Sequence, residues 1–536
     1  MSRTPLLGRV CRLAQVAAQS ERGVSASRLP PQVSRRNLLM GALGFGGGVG
    51  ACVPSGTART PLSAAKAKVV IVGAGISGLS AALRLKDRGV QATVYEASAR
   101  TGGRIFSNSG YWQDGQTSEW GGELIDSSHQ TMLGLARRFQ LQVNDLHKSE
   151  PPGAKDTYFF NGQYYPEADA LRDFLAFLPA LQADAAAAKY PMTFAEHTPA
   201  GVALDKLSIE SWIESRVPGG NRSAMGQLLN VAYATEYGAD CREQSALNLI
   251  YMLSANEKSF HIFGESDERF HIQGGNQRLP SAIAAELGAD VVRTGFRLKA
   301  LCQRPDGALL LTFQTGTQAL EVVADRVLLT LPFSVLRTLD LSRAGFDARK
   351  LRAIHEQGCG RNGKLQLQFS ERIWQGPGVW PKAANGCSFA GTGYQLTWDA
   401  TRDQRGKSGI LVNFTGGTVA SEMTTPIAWG TAKSAGVLRD ARTFLGQVEP
   451  VFPGATAAFS GFATSSLPHL DDNLKLSYSF WKPGQYAKFA GYERVRQGNC
   501  FFAGEHTSLD YQGFMEGGAA EGLRAADEIL ATFGAS

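Results

Sequence analysis

The chain of 536 residues is 43% hydrophobic and 19% charged, a globular composition with more apolar surface than one core needs, so two or more domains are expected. Its 54 lysines and arginines against 48 acids leave a net charge of +6 with no basic block, which excludes nucleic acid as a natural partner. Seven cysteines with no C-x-x-C spacing exclude a zinc site or a disulfide framework, leaving room for one pair at most, and read as mostly buried small hydrophobes.

Residues 1–65 read as a leader and linker. Ser34-Arg35-Arg36-Asn37-Leu38-Leu39 precedes an apolar, glycine-rich run from Leu38 to Val49 that is too short to span a bilayer stably. It resembles a twin-arginine signal, which implies the export machinery that carries folded proteins and delivery to the periplasm or beyond. Val49-Gly50-Ala51-Cys52 resembles a lipoprotein processing site with Cys52 as the lipid anchor; a chance cysteine is the alternative, since leucine rather than valine usually starts that box. No later segment approaches 18 uninterrupted apolar residues, so the mature chain is expected to be soluble or merely anchored.

Lys68 to Glu96 reads as strand, glycine turn, helix and strand. Val69 to Val72 is wholly apolar and β-branched, as a strand covered on both faces should be. Gly73, Gly75 and Gly78 follow as G-x-G-x-x-G: the first permits the turn, the second admits a pyrophosphate to the backbone, and the third lets helix and strand pack closely. The helix opening at Ile76 and Ser77 aims its unpaired N–H groups at that phosphate. The second strand ends in Glu96, followed by Ala97 and Ser98; an acid there accepts from ribose hydroxyls and disfavours a 2'-phosphate, so NADP is not expected.

Arg100-Thr-Gly102-Gly103-Arg104 adds two glycines and two cations suited to a second approach to the pyrophosphate. This R-x-G-G-R resembles the flavin amine oxidases, the family of monoamine, polyamine and L-amino-acid oxidases. The resemblance implies non-covalent FAD and an α/β, two-domain, Rossmann-like FAD-binding fold of the GR2 type with an interleaved substrate domain. The cofactor domain is expected at 66–145, 265–340 and 464–534, and the substrate domain at 146–264 and 341–463.

Further along, Glu119-Trp-Gly121-Gly122-Glu123 falls where the family places a turn under the flavin ring, and a helix is predicted from Thr131 to Phe139. Alanines and helical periodicity mark Glu150 to Phe263 as an inserted helical part. Within it, Glu236 to Leu247 resembles the segment lining the substrate entrance of monoamine oxidases, with Tyr237 a candidate substrate contact; an ordinary helix and surface loop is the alternative. His271 to Asn276 matches the family's second glycine pair, Val292 its adenine-side strand, and Thr330 and Pro332 the strand end beside the cofactor. Lys364 to Phe369 alternates strictly, putting Lys364, Gln366 and Gln368 on one face and the apolar residues on the other. Cys500 to Glu505 is an apolar strand ending in Gly504 and Glu505, and Gly513 to Gly518, with Met515, opens a helix over Ala519 to Thr532 whose first turn can donate N–H groups to the flavin pyrimidine carbonyl.

The resemblance also assigns roles. Tyr478 and Phe514 fall where the family has two aromatics flanking the substrate nitrogen, with Trp481 close by, and no cysteine beside Tyr478 offers a covalent flavin link. Lys364 matches the lysine that holds a water near flavin N5, through the spacing to Glu371 and Trp374; a solvent-facing strand lysine is the alternative. Leu124 stands where amino-acid oxidases carry a carboxylate-gripping arginine, and Asp126 where polyamine oxidases put an acid for a distal ammonium. These features point to oxidation of an amine by O2 with release of hydrogen peroxide. L-amino-acid oxidation stays open, since Arg242 could replace the missing arginine, and a flavin desaturase is a further alternative.

Overall fold

The computed structural model describes residues 67–253, 260–375 and 384–533. Arg35, Arg36 and Cys52 lie outside these described residues. A five-stranded parallel sheet runs in the order Cys500–Phe502, Arg326–Leu329, Val69–Val72, Ala92–Glu96 and Val292–Thr294. Val69 and Ile71 pack on helices Ile76–Asp87 and Met515–Leu530. Val70 and Val72 face a four-stranded sheet through Leu298, Leu311 and Phe313. Burial on both sides explains why the first strand carries no polar residue. Arg84 and Lys86 in the last turn of helix Ile76–Asp87 suit its negative end.

An eight-stranded sheet gathers Lys155–Phe160, Gln163–Tyr164 and six strands between Asn362 and Ser466. Helices including Glu167–Ala188 and Ala224–Tyr237 cover one side through Phe174, Trp212 and Leu228. Helix Ala435–Val448 covers the other. Strand Phe459–Ser466 belongs to this sheet and runs across the boundary expected at 463/464.

The alternative of a solvent-facing Lys364 and the start of the last helix are corrected. All eight residues of strand Asn362–Phe369 are buried, so the face bearing Lys364, Gln366 and Gln368 does not meet solvent. It meets the chain from Gln113 to Gly121 instead: the Gln366 amide donates to the Glu119 carbonyl (2.8 Å) and Gln368 to Gln116 Oε1 (2.9 Å). Alternation reports two faces, and what covers each is decided by distant chain. The last helix starts at Met515 rather than Ala519, because Gly517 and Gly518 serve as helical residues in its close-packed first turns. No helix among the described residues is long and apolar enough to cross a membrane.

Candidate active site

A cavity of about 580 Å³ runs from Glu96 past the glycine turn to Lys364, Tyr478 and Phe514. Its outer end is built by the first βαβ unit. Gly73 has φ of +105°, a left-handed value that L side chains rarely adopt, and a Cβ at Gly78 would lie 2.0 Å from the Gly73 carbonyl oxygen. Space beside Gly75 is open, leaving backbone N–H groups to the cavity. Neither helix Ile76–Asp87 nor helix Met515–Leu530 has a side-chain cap, and residues of both first turns line the cavity. The Ser77 hydroxyl, buried beside it, has no partner among the described residues. Glu96 is braced by Ala74 N–H (2.8 Å) on one oxygen and by Ser98 N–H (2.8 Å) on the other. Two uncapped helix starts, an open glycine cradle, an orphaned hydroxyl and a fixed acid together fit a dinucleotide with its pyrophosphate on the glycines.

The inner end carries the titratable groups. Arg104 donates to Glu505 Oε1 (2.8 Å) and to the Ser477 carbonyl (3.0 Å). Glu505 also accepts from Ser479 Oγ (2.9 Å) and Gly513 N–H (2.8 Å). Burial pushes its carboxyl up, but the Arg104 guanidinium and the hydrogen bonds from Arg104 and Ser479 outweigh burial and hold it below the ordinary range. Lys364 is buried, donating to Glu123 Oε2 (2.6 Å) and to the Gly121 carbonyl (2.7 Å). Tyr478 donates its hydroxyl to the Thr235 carbonyl (2.9 Å), so its ring is what it offers the wall. Phe514 is held edge-on by His129, ring centroids 5.0 Å apart.

Of the predicted site residues, Gly73, Gly75, Ile76, Ser77, Glu96, Ala97, Ser98, Gly102, Gly103, Arg104, Gly121, Gly122, Thr330, Pro332, Lys364, Tyr478, Gly504, Glu505, Phe514 and Met515 all line this cavity. Six do not. Gly78 packs helix on turn. Val292 is a sheet residue paired with Val94. Glu123 turns its carboxylate away, to Lys364 and to Trp398 Nε1 (2.7 Å). Asp126, fully buried, accepts from Glu268 N–H (3.0 Å) and Ser266 Oγ (3.2 Å), so its carboxylate braces the loop at 266–268 and is not presented to a distal ammonium in the cavity. Tyr237 and Trp481 line a separate cavity of about 60 Å³, with Tyr190, Tyr251 and Tyr486. Arg242 is also elsewhere: it is 67% exposed and paired with Asp240.

Sequence reasoning missed Asn362, Phe414, Ser466 and Ser477 in the inner wall, and Arg297 and Lys299 near Glu96. Asn362 and Phe414 sit in wholly buried strands, where no local pattern separates a wall residue from a core one.

A family described as flavin containing amine oxidoreductase matches residues 76–530. A putative L-amino-acid oxidase of Bacillus subtilis (strain 168) is 23% identical over 481 residues, covering 86% of this chain and 94% of that protein. Putrescine oxidase of Kocuria rosea is 26% identical over 388 residues, covering 66% of this chain and 74% of that one. The structure of cyclohexylamine oxidase from Brevibacterium oxydans IH-35A superposes with a TM-score of 0.72 at 22% identity, covering 87% of this chain and 99% of that chain. At that identity the likeness is one of fold.

Proposed function

The chain belongs to the flavin containing amine oxidoreductase family, and from that premise we propose that it oxidises a primary or secondary amine, with non-covalent FAD as cofactor and O2 as electron acceptor. The amine loses a hydride from its α-carbon and a proton from nitrogen, the resulting imine takes up water to give a carbonyl compound and releases ammonia or, from a secondary amine, the smaller amine, and O2 takes up the two electrons and two protons to leave as H2O2. When bound, FAD supplies the two-electron redox chemistry. Everything else falls to the chain's own residues. Tyr478 and Phe514 offer aromatic faces that suit a neutral amine and orient it without a charge. Lys364 supplies a cation where negative charge develops as oxygen is reduced.

The observation that carries the amine reading is the commitment of the inner cations. Arg104 is bound to Glu505 and Lys364 to Glu123, while Arg242 is outside the cavity, so a substrate carboxylate meets no uncommitted inner cation among these. L-amino-acid oxidation is the competing reading, favoured by relatives such as the Bacillus subtilis protein and the L-amino-acid oxidase of Pseudechis australis, 24% identical over 485 residues. A peroxide-release screen of the purified yellow protein over amines, polyamines and L-amino acids decides. Turnover confined to L-amino acids would sink the amine reading. Export by the twin-arginine route rests on Arg35 and Arg36; replacing both with lysine should strand folded enzyme in the cytoplasm, as read by fractionation.

A further inference from the structure

The Lys364 ammonium spends its N–H groups on a single short stretch of chain. It donates to Gly121 O at 2.7 Å and Glu123 Oε2 at 2.6 Å, with Glu119 O at 3.5 Å. Glu123 is gripped from the far side by the Trp398 indole N–H at 2.7 Å, and the Trp398 ring lies 5.3 Å from the ammonium. The two charged side chains are 4% and 6% exposed. Lys364 lines the cavity and Glu123 does not, so the carboxylate stands outside the cavity wall that the lysine helps to form.

A buried cation needs a counter-charge close by, since burial disfavours the charged form of any ionisable group. The neighbours that could supply it are few. The flanking strands place Phe414 and Ser466 opposite Lys364, neither titratable. Strand Leu396–Asp399 brings Trp398, its Asp399 carboxylate being bound to Trp374 and Thr401. Glu119 is engaged by His271 Nε2 at 2.8 Å, and Glu268 and His271 act on Glu123 only at longer range. Among the described residues, Glu123 alone gives the ammonium a carboxylate in contact.

We propose that Glu123 is a positioning residue that keeps Lys364 protonated and fixed in the cavity wall, so that the cation acting in oxygen reduction belongs to the Glu123–Lys364–Trp398 unit rather than to the lysine alone. This rests on the role given to Lys364 under Proposed function. Burial raises the Glu123 carboxyl, yet Lys364, Trp398 and His271 together bring it below the ordinary range, as an ionised partner requires.

The test uses holoenzyme of the wild type, E123Q, E123D, K364M and E123Q/K364M. Flavin reoxidation by O2 and the flavin midpoint potential are measured across pH 6 to 9. Wild type and E123D should give flat reoxidation profiles, whereas E123Q should lose about tenfold or more as pH rises, its potential falling through the same transition. In the K364M background E123Q should change neither. A flat E123Q profile, or an equal effect of E123Q with and without Lys364, overturns the proposal. If K364M reoxidises like wild type, the oxygen role of Lys364 fails on its own. The potential then still judges the pair: a transition present in E123Q and absent from E123Q/K364M upholds it, and no transition ends it. Should E123Q not fold, Trp398→Phe removes only the indole donor and should shift the profile in the same direction by less; no shift counts against the proposal.

Discussion

At the scale of single residues, the buried Lys364 makes the sharpest demand. Lys364→Met should slow reoxidation by O2 roughly a hundredfold, a loss of about 3 kcal/mol, while flavin reduction by substrate is little changed. Stopped-flow measurement of the two half-reactions separates them, and equal slowing of both would be the contrary result. Because the variant leaves Glu123 buried without its cation, stability should drop as well, by about 3–5 kcal/mol. His506 gives a pH prediction. Burial lowers it to about 3, so it is neutral in the fold while the unfolded chain binds a proton below about pH 6.5. The stability it contributes is therefore full above that pH and lost as pH falls from 6.5 towards 3, at about 1.4 kcal/mol per unit. His506→Leu should melt with a shallower acid dependence than wild type between pH 7 and 5; parallel curves would remove His506 from the account. The glycine turn was legible in sequence because backbone sterics act within a few residues. Glu123 as partner of Lys364 was not, since the two are 241 positions apart and meet only through strand packing.

At the scale of elements, helices Ile76–Asp87 and Met515–Leu530 touch backbone to backbone. A Cβ at Gly522 would sit 2.2 Å from the Ser77 carbonyl oxygen, a contact with no flexible atom to yield. Gly522→Ala should thus push the two helix starts apart, at about 1–3 kcal/mol of overpacking. Flavin content, read from the ratio of visible to ultraviolet absorbance, should fall while circular dichroism stays native. Full flavin content would show that the contact relaxes freely. The strand and helix types were readable here because period 2 and period 3.6 are local, as with Val69–Val72 and Ile76–Asp87. What lay over the polar face of Asn362–Phe369 was unreadable, as the covering chain begins about 250 residues earlier, at Gln113.

For the molecule as a whole, the cavity belongs to no single stretch of chain. None of the five described cysteines lines it, so acid precipitation should leave the flavin in the supernatant, and colour retained on the polypeptide would contradict a dissociable cofactor. The order of strands in the parallel sheet has one more consequence, in time rather than space. Its first strand, Val69–Val72, is made early, but the edge strand Cys500–Phe502 and the helix Met515–Leu530 that bounds the cavity leave the ribosome only after the several hundred residues between have been made. Contacts of such sequence separation form slowly, and the incomplete chain exposes apolar sheet faces while it waits. Cofactor capture is thereby deferred until those last elements have emerged, and the nascent chain needs shielding from aggregation until they do.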